Sequence, residues 1–268
     1  MDEEAPSGVN PRIPNMARMY DYALGGKDNF AADREAVQKL FAMSPENRYV
    51  PLANRRFLRR AVRYAVEQGI EQFLDLGAGL PSQGNVHEVA SRARVVYVDH
   101  DPVVAVHARA LLATDESRVS LVQGDLREPE TILKHPEVVR LIDFSRPVAV
   151  LFVSVLHGVA DAEDPAGLVR AYARPLAPGS HLILSHLTRE GHPAELVRRK
   201  EEVFARSNTV FSYRGRAEIL SYFEGFELVE PGLTAVTAWR PDDPVPDADL
   251  EAAGSWWLGG VGRRAEGQ

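Results

Sequence analysis

The sequence predicts an α/β fold built on a doubly wound, mostly parallel sheet of seven strands, and three observations carry that prediction. From about residue 70 onward, strand-length apolar runs alternate with helical patterns, the arrangement that covers both faces of a parallel sheet with helices. The run Phe73-Leu74-Asp75-Leu76 passes directly into Gly77-Ala78-Gly79, so residues without side chains occupy a sharp turn that a ligand can approach closely. Pro147-Val148-Ala149-Val150-Leu151-Phe152-Val153 is apolar throughout, as expected of a central strand buried on both faces.

The elements follow in order. Residues 1–14 are acidic and contain Pro and Gly, and no regular structure is predicted for them. Residues 17–24 read as a short helix stopped by Gly25-Gly26, and residues 33–41 as a second. Residues 52–67 form a longer helix that leads through Gln68-Gly69 into the first strand. Arg94-Val95-Val96-Tyr97-Val98-Asp99 is strand two, residues 120–126 are strand three with Gly124-Asp125 at its carboxyl end, residues 147–153 are strand four, and strand five runs to Ser185 after Leu176-Ala177-Pro178-Gly179. Crossovers between parallel strands are expected to be right-handed. A charged helix over 193–207 and another over 216–223 come next. Residues 226–230 and then 234–239 give the sixth strand, 241–247 a loop by composition, and 256–262 the last strand, antiparallel to the rest. There is no internal repeat. Residues 1–68 are read as an N-terminal helical segment and 69–268 as the sheet domain, the two forming one compact unit.

Composition narrows the function. A chain of 268 residues with 45% hydrophobic content suits one large domain with additions. Its net charge of −7 argues against a general nucleic-acid surface, which needs a concentrated positive field. The arginines at 55, 56, 59, 60 and 63 are interleaved with Phe57, Leu58, Ala61, Val62 and Ala65 at helical spacing and read as the solvated face of an amphipathic helix. The absence of cysteine excludes disulfides, thiolate nucleophiles and Cys-ligated zinc. No targeting pattern and no apolar run of membrane-spanning length is visible, so a cytoplasmic protein with no membrane association is expected.

The chemistry concentrates at the carboxyl ends of the strands. A dinucleotide fingerprint requires a third glycine where Ser82 stands, preceded here by Pro81. Asp75, two positions before Gly77, suits instead a ligand with a positive amino group, and a ligand without a pyrophosphate needs no third glycine. S-adenosylmethionine is such a ligand. Asp99 follows Asp75 by 24 residues, close to the roughly 20 expected for an acid that holds ribose hydroxyls, and Asp125 is placed to cap the adenine edge.

With these motifs in order, residues 70–187 resemble a class I S-adenosylmethionine-dependent methyltransferase. More narrowly, Arg18-Met19-Tyr20-Asp21-Tyr22-Ala23-Leu24-Gly25-Gly26-Lys27-Asp28-Asn29-Phe30 and Leu80-Pro81-Ser82-Gln83-Gly84-Asn85-Val86-His87-Glu88 resemble the actinobacterial DUF574 family nearly end to end. The resemblance implies a Rossmann-like seven-stranded sheet with an N-terminal helical lid and S-adenosylmethionine as cofactor, and specifies the substrate hardly at all; methyl transfer to an O or N atom of a small molecule, in specialised metabolism, is the expected activity. The resemblance also implies cofactor contacts from Asp75, Gly77, Ala78, Gly79, Asp99, His100, Asp125, Leu126 and Ser154, with Tyr22, Lys27 and Asn29 of the lid holding the methionine carboxylate or a polar group of the substrate. Asp101, before Pro102, has a second reading as a helix-start residue.

Methyl transfer from a sulfonium asks mainly for positioning, which supplies roughly 7–11 kcal/mol, whereas a general base adds about 10²–10⁴-fold and matters only for a nucleophile that loses a proton. His157, after strand four, is the leading base candidate, and His186, after strand five, the second. Each has a plainer reading as pocket lining. No metal site is expected, since no His-x-x-x-His spacing occurs. Two rivals remain at this level. An NAD-dependent oxidoreductase lacks its third glycine and a Tyr-x-x-x-Lys pair here, and a non-catalytic S-adenosylmethionine sensor keeps the same binding motifs. Oligomeric state is not legible.

Overall fold

Five strands pair in parallel at the centre of the sheet: β1 (Gln72–Leu76), β2 (Arg94–Asp99), β3 (Val119–Gln123), β4 (Ala149–Val153) and β5 (His181–Leu187). The computed structural model describes residues 9–80, 84–106, 117–207, 211–242 and 248–265. The predicted readings at Pro81, Ser82 and Gln83, over residues 1–8 and over 243–247 lie outside the described residues. Strands β1 and β5 are buried at every position, which explains their near-continuous apolar sequences. One apolar core lies on each face of the sheet.

The strand order is β3-β2-β1-β4-β5-β8-β6, with β8 (Trp257–Arg263) antiparallel to β5 as predicted. The chain winds outward from β1 through β2 to β3 and returns to β4 on the other side of β1. The carboxyl ends of β1 and β4 therefore form the switch point at which doubly wound sheets hold ligands.

The sheet has eight strands rather than seven, because the predicted sixth strand is split. Of its residues only β6 (Glu227–Leu228) and β7 (Thr234–Ala235) pair with β8, at opposite ends of that strand. Pro231 lies between them and has no N–H to give a ladder. Beyond Ala235 the chain leaves the sheet in a turn, so that Val236 and Trp239 are fully buried. Arg60 satisfies their carbonyls, donating to Trp239 O at 2.9 Å and Val236 O at 2.5 Å.

Three helices precede β1: α1 (Met16–Ala23), α2 (Ala31–Met43) and α3 (Val50–Glu67). Asn15 caps α1, its Oδ1 accepting from Ala17 N and Arg18 N. Fully buried Asp33 accepts from the backbone N–H groups of Asn15 and Phe30 and from Arg18 Nε, each at 2.8 Å. One carboxylate thus fixes the starts of both α1 and α2.

Candidate active site

The turn after β1 is shaped by close approach. Gly77 has φ +75°, and a Cβ there would lie 2.2 Å from Val155 Cγ2. The N–H groups of Gly77 and Ala78 both donate to Val98 O, at 2.8 and 3.1 Å. Gly79, at φ +67°, has open space where a Cβ would project, and its N–H donates to Asp99 Oδ2 at 2.8 Å. Asp99 Oδ1 accepts from Asp101 N at 2.9 Å. Two backbone donors therefore lock this carboxylate, and each oxygen keeps a lone pair for a further donor. Burial pushes the Asp99 carboxyl above its ordinary range, against the pull of those N–H groups and of His100. Burial also pushes Asp75 up, to about 7, opposed by the Arg55 guanidinium and reinforced by Asp99.

A cleft of ≈290 Å³ opens here and brings together Asp75, Gly77, Ala78, Gly79, Asp99, His100, Asp125, Leu126, Ser154 and His157. His100 is exposed at its mouth, with Nδ1 3.7 Å from Asp99 Oδ1. Buried Asp101 takes the helix-start role, Oδ1 accepting from Val103 N at 2.8 Å. Asp125 forms an Asx turn with Arg127 N, and the Arg127 side chain bridges it to Glu163. The Arg127 hydrogen bonds hold the Asp125 carboxyl below its ordinary range.

Tyr22, Lys27 and Asn29 do not line this cleft. The face of α1 that lines it carries Met16, Ala17 and Tyr20, and a residue two places beyond Tyr20 lies more than half a turn away. Tyr22 accepts from Gln38 on the outer side, at 2.7 Å, and Lys27 is exposed in the turn. Asn29 is buried and structural, donating to Asp21 Oδ2 at 2.9 Å and Gly26 O at 3.1 Å.

Sequence reasoning missed Asn15, Tyr20, Asn54, Arg55, Arg127 and Glu163, all of which line the cleft. A signal existed for two of them. Asn54, Arg55 and Leu58 share one helical face, so Arg55 sits beside an apolar position rather than among the solvated arginines. Arg56, Arg59 and Arg63 are exposed, whereas Arg55 is half-buried and Arg60 buried.

Past β4, Ser154 adopts φ +62°, a conformation uncommon outside glycine, and its N–H donates to Ser185 Oγ at 3.1 Å. From there a chain of hydrogen bonds reaches the lid: Ser185 Oγ donates to Asn54 Oδ1 (2.6 Å), Asn54 Nδ2 to Tyr20 OH (3.1 Å) and Tyr20 OH to Pro51 O (3.0 Å). The segment around His157 is held by buried Arg214, which donates to Leu156 O (2.8 Å), Val159 O (2.7 Å), Asp161 Oδ1 (2.7 Å) and His186 Nε2 (2.9 Å).

The two histidines differ sharply. His186 Nδ1 donates to Leu187 O at 2.7 Å while Nε2 accepts from Arg214, so both ring nitrogens are committed, and the ring lies outside the cleft. Burial pulls its pKa to about 3. It is a structural histidine. His157 lines the cleft, only 3% exposed, and its Nδ1 has no hydrogen-bond partner among the described residues. Burial, with His186 and Arg214 adding to it, holds its imidazole well below the usual histidine range. Beyond Met16, Tyr20, Ser154 and His157 the cleft continues into an apolar chamber of ≈80 Å³ beneath the lid.

Among the described residues no group of three or more His, Asp or Glu is placed to hold a metal ion, and no helix is long and apolar enough to cross a membrane. The cleft fits S-adenosylmethionine. Gly79 leaves open space for a nucleoside, the locked Asp99 retains acceptors for ribose hydroxyls, and Asp75 and Arg55 bring one acidic and one basic side chain for the two charged groups of an amino-acid tail.

Sheet order, glycine turn and acid placement define a class I S-adenosylmethionine-dependent methyltransferase. Residues 2–265 match the S-adenosyl methyltransferase family, and the chain belongs to it. A candidate methyltransferase of Thermobifida fusca YX is 43% identical, with 97% of this chain and 98% of that one covered and a TM-score of 0.89. A DUF574 family protein of Streptomyces avermitilis MA-4680 is 40% identical over 94% and 98% of the two chains, also at 0.89. An O-methyltransferase family protein of Burkholderia thailandensis, 14% identical over 83% and 59% of the two chains with a TM-score of 0.55, shares the fold. No curated protein sequence matches the chain.

Proposed function

We propose that the enzyme transfers a methyl group to an oxygen or nitrogen of a small molecule held beneath the lid. The observation that carries this reading is the apolar chamber beside the cleft, which shares Met16, Tyr20, Ser154 and His157 with it. Bound S-adenosylmethionine supplies an electrophilic methyl group and departs as a neutral thioether. Asp99 accepts from the ribose hydroxyls, Asp125 and Leu126 flank the adenine with His100 at the rim, and Asp75 and Arg55 hold the amino and carboxylate ends of the methionine tail. The backbone of Gly77, Ala78, Gly79 and Ser154 shapes the bed. His157 receives the proton that a hydroxyl nucleophile gives up. Its low proton affinity makes this a modest contribution, so orientation by the chamber walls is the larger one. Segment 1–68 acts with domain 69–268 as one unit, supported by the Ser185–Asn54–Tyr20 chain of hydrogen bonds.

Isothermal titration with S-adenosylmethionine and S-adenosylhomocysteine, followed by mass spectrometry of acceptor mixtures, tests the reading. Binding together with methylated product is expected. Binding without transfer to any hydroxyl or amine acceptor favours a sensor instead. Asp99→Ala is expected to weaken S-adenosylmethionine at least about tenfold, since hydrogen bonds to a charged acceptor are worth roughly 1.5–3 kcal/mol each. Unchanged affinity removes the ribose role.

A further inference from the structure

The chamber beneath the lid has a continuous aromatic wall. The His157 ring lies 4.6 Å from Phe211, which stacks on Phe204 at 3.8 Å and meets Tyr213 at 5.4 Å. Tyr213 in turn meets Trp256 at 5.9 Å. At the far end of this wall stands Lys200, 2% exposed, its Nζ 3.1 Å from the Trp256 ring centre. Phe204, Phe211, Tyr213, Trp256, Lys200 and His157 all line the chamber.

An ammonium has three donors. Among the described residues Lys200 makes one hydrogen bond, to Asn47 Oδ1 at 2.6 Å, and no carboxylate lies within ion-pair distance of it. The Trp256 face takes a second share of the charge. A buried cation without an anion is costly, and burial pulls the Lys200 pKa down to about 7, with Glu46 opposing. The chamber therefore offers flat aromatic walls, His157 on its side toward the cleft, and a cation that the Glu46 carboxylate reaches only from beyond ion-pair distance. Its ≈80 Å³ is about half the roughly 150 Å³ of a cavity known to hold benzene, so a single ring is the largest acceptor it takes, with part of that ring standing in the adjoining cleft, with which it shares Met16, Tyr20, Ser154 and His157.

We propose that the chamber binds a single-ring aromatic acceptor bearing an anionic group, with Lys200 as the counter-charge and His157 beside the opposite edge of the ring. This rests on the methyl-transfer reading above. Among anions, a carboxylate is the group committed to. Lys200 is a specificity residue of the acceptor site and has no contact with the cofactor cleft.

The test uses the full chain saturated with S-adenosylhomocysteine and titrated with 4-hydroxybenzoate and with its neutral isostere 4-hydroxybenzamide. The carboxylate is expected to bind at least about tenfold more tightly. Lys200→Met is expected to bring the two ligands within about twofold of each other while S-adenosylhomocysteine affinity is unchanged, and Lys200→Arg to retain part of the preference. Equal binding by the wild-type protein, binding of neither ring, or a preference that survives Lys200→Met each overturns the proposal. Should Lys200→Met not fold, the wild-type comparison decides alone. Failure to bind S-adenosylhomocysteine in the first step counts against the methyl-transfer reading, whereas its binding without a carboxylate preference counts only against the role of Lys200.

Discussion

Asp75 carries a proton that the unfolded chain would release. Its folded pKa of about 7 stands above the ordinary 3.8, so its contribution to stability is fully present below about pH 4 and is lost as pH rises through 7. A bound cationic amino group reverses the balance, because it favours the ionised carboxylate. S-adenosylmethionine affinity is therefore expected to rise as pH is raised through about 7, by up to tenfold per unit below that value, and Asp75→Asn to flatten the profile; calorimetry from pH 5.5 to 8 reads both. His157 behaves oppositely. Held neutral across this range, it gives kcat no inflection near pH 6.5, whereas His157→Gln is expected to lower transfer to a hydroxyl acceptor by about 10²-fold with S-adenosylhomocysteine affinity intact. An unaltered rate leaves His157 as pocket lining. At this scale the sequence disclosed the residues set by backbone motifs, since Asp75, Gly77, Gly79, Asp99 and Asp125 sit at strand ends whose direction the fold dictates. Tyr22, Lys27 and Asn29 stand away from the cleft because a motif names a segment, while helical phase chooses which side chain turns inward, and here that is Tyr20.

Elements were legible wherever one period dominated. The five parallel strands are mainly apolar, and α1 and α3 end near Gly25 and Gly69. The sixth strand was not, because its two halves are joined through Pro231 and because Val236 and Trp239 bury under α3 instead of continuing the ladder. That departure depends on Arg60, a distant residue whose guanidinium satisfies two stranded carbonyls, and no local pattern announces it. Arg214 is a second such case, binding the segment between β4 and the helix Pro165–Ala173 from a strand-like bridge to Thr188. Arg214→Met would leave Val159 O and His186 Nε2 without their donor and Leu156 O with Val159 N alone. Each buried acceptor left unsatisfied costs about 1–3 kcal/mol, so a loss of roughly 3 kcal/mol or more is expected in urea denaturation. Because Arg214 does not itself line the cleft and holds the stretch that carries His157, kcat is expected to fall further than S-adenosylhomocysteine affinity. Equal losses in both would mean that it supports the fold generally and does not position His157.

For the molecule as a whole, the lid and the sheet share one apolar core. Met19, Val37, Phe57, Phe73, Ile183 and Trp257 belong to the same buried cluster, and polar ties run alongside it, from Ser185 through Asn54 to Tyr20 and from Trp257 Nε1 to Val50 O at 2.9 Å. A lid built this way cannot melt by itself without exposing the face of α3 that covers the sheet. A single cooperative thermal transition is therefore expected, with far-ultraviolet circular dichroism and tryptophan fluorescence coincident, since Trp239, Trp256 and Trp257 all lie buried at the junction of α3 with β8 and the chamber. The cleft is lined by both parts, by Met16, Tyr20 and Arg55 on one side and Gly79 and Asp99 on the other. Ligand at 100 times Kd adds about 2.7 kcal/mol, and for a chain of this size each kcal/mol moves Tm by about 2–4 °C. Saturating S-adenosylhomocysteine is thus expected to raise the whole transition by about 5–10 °C without splitting it. A ligand-induced second transition would show instead that the helices before β1 fold as a separate unit, and that closure over the cleft is a docking event between two parts.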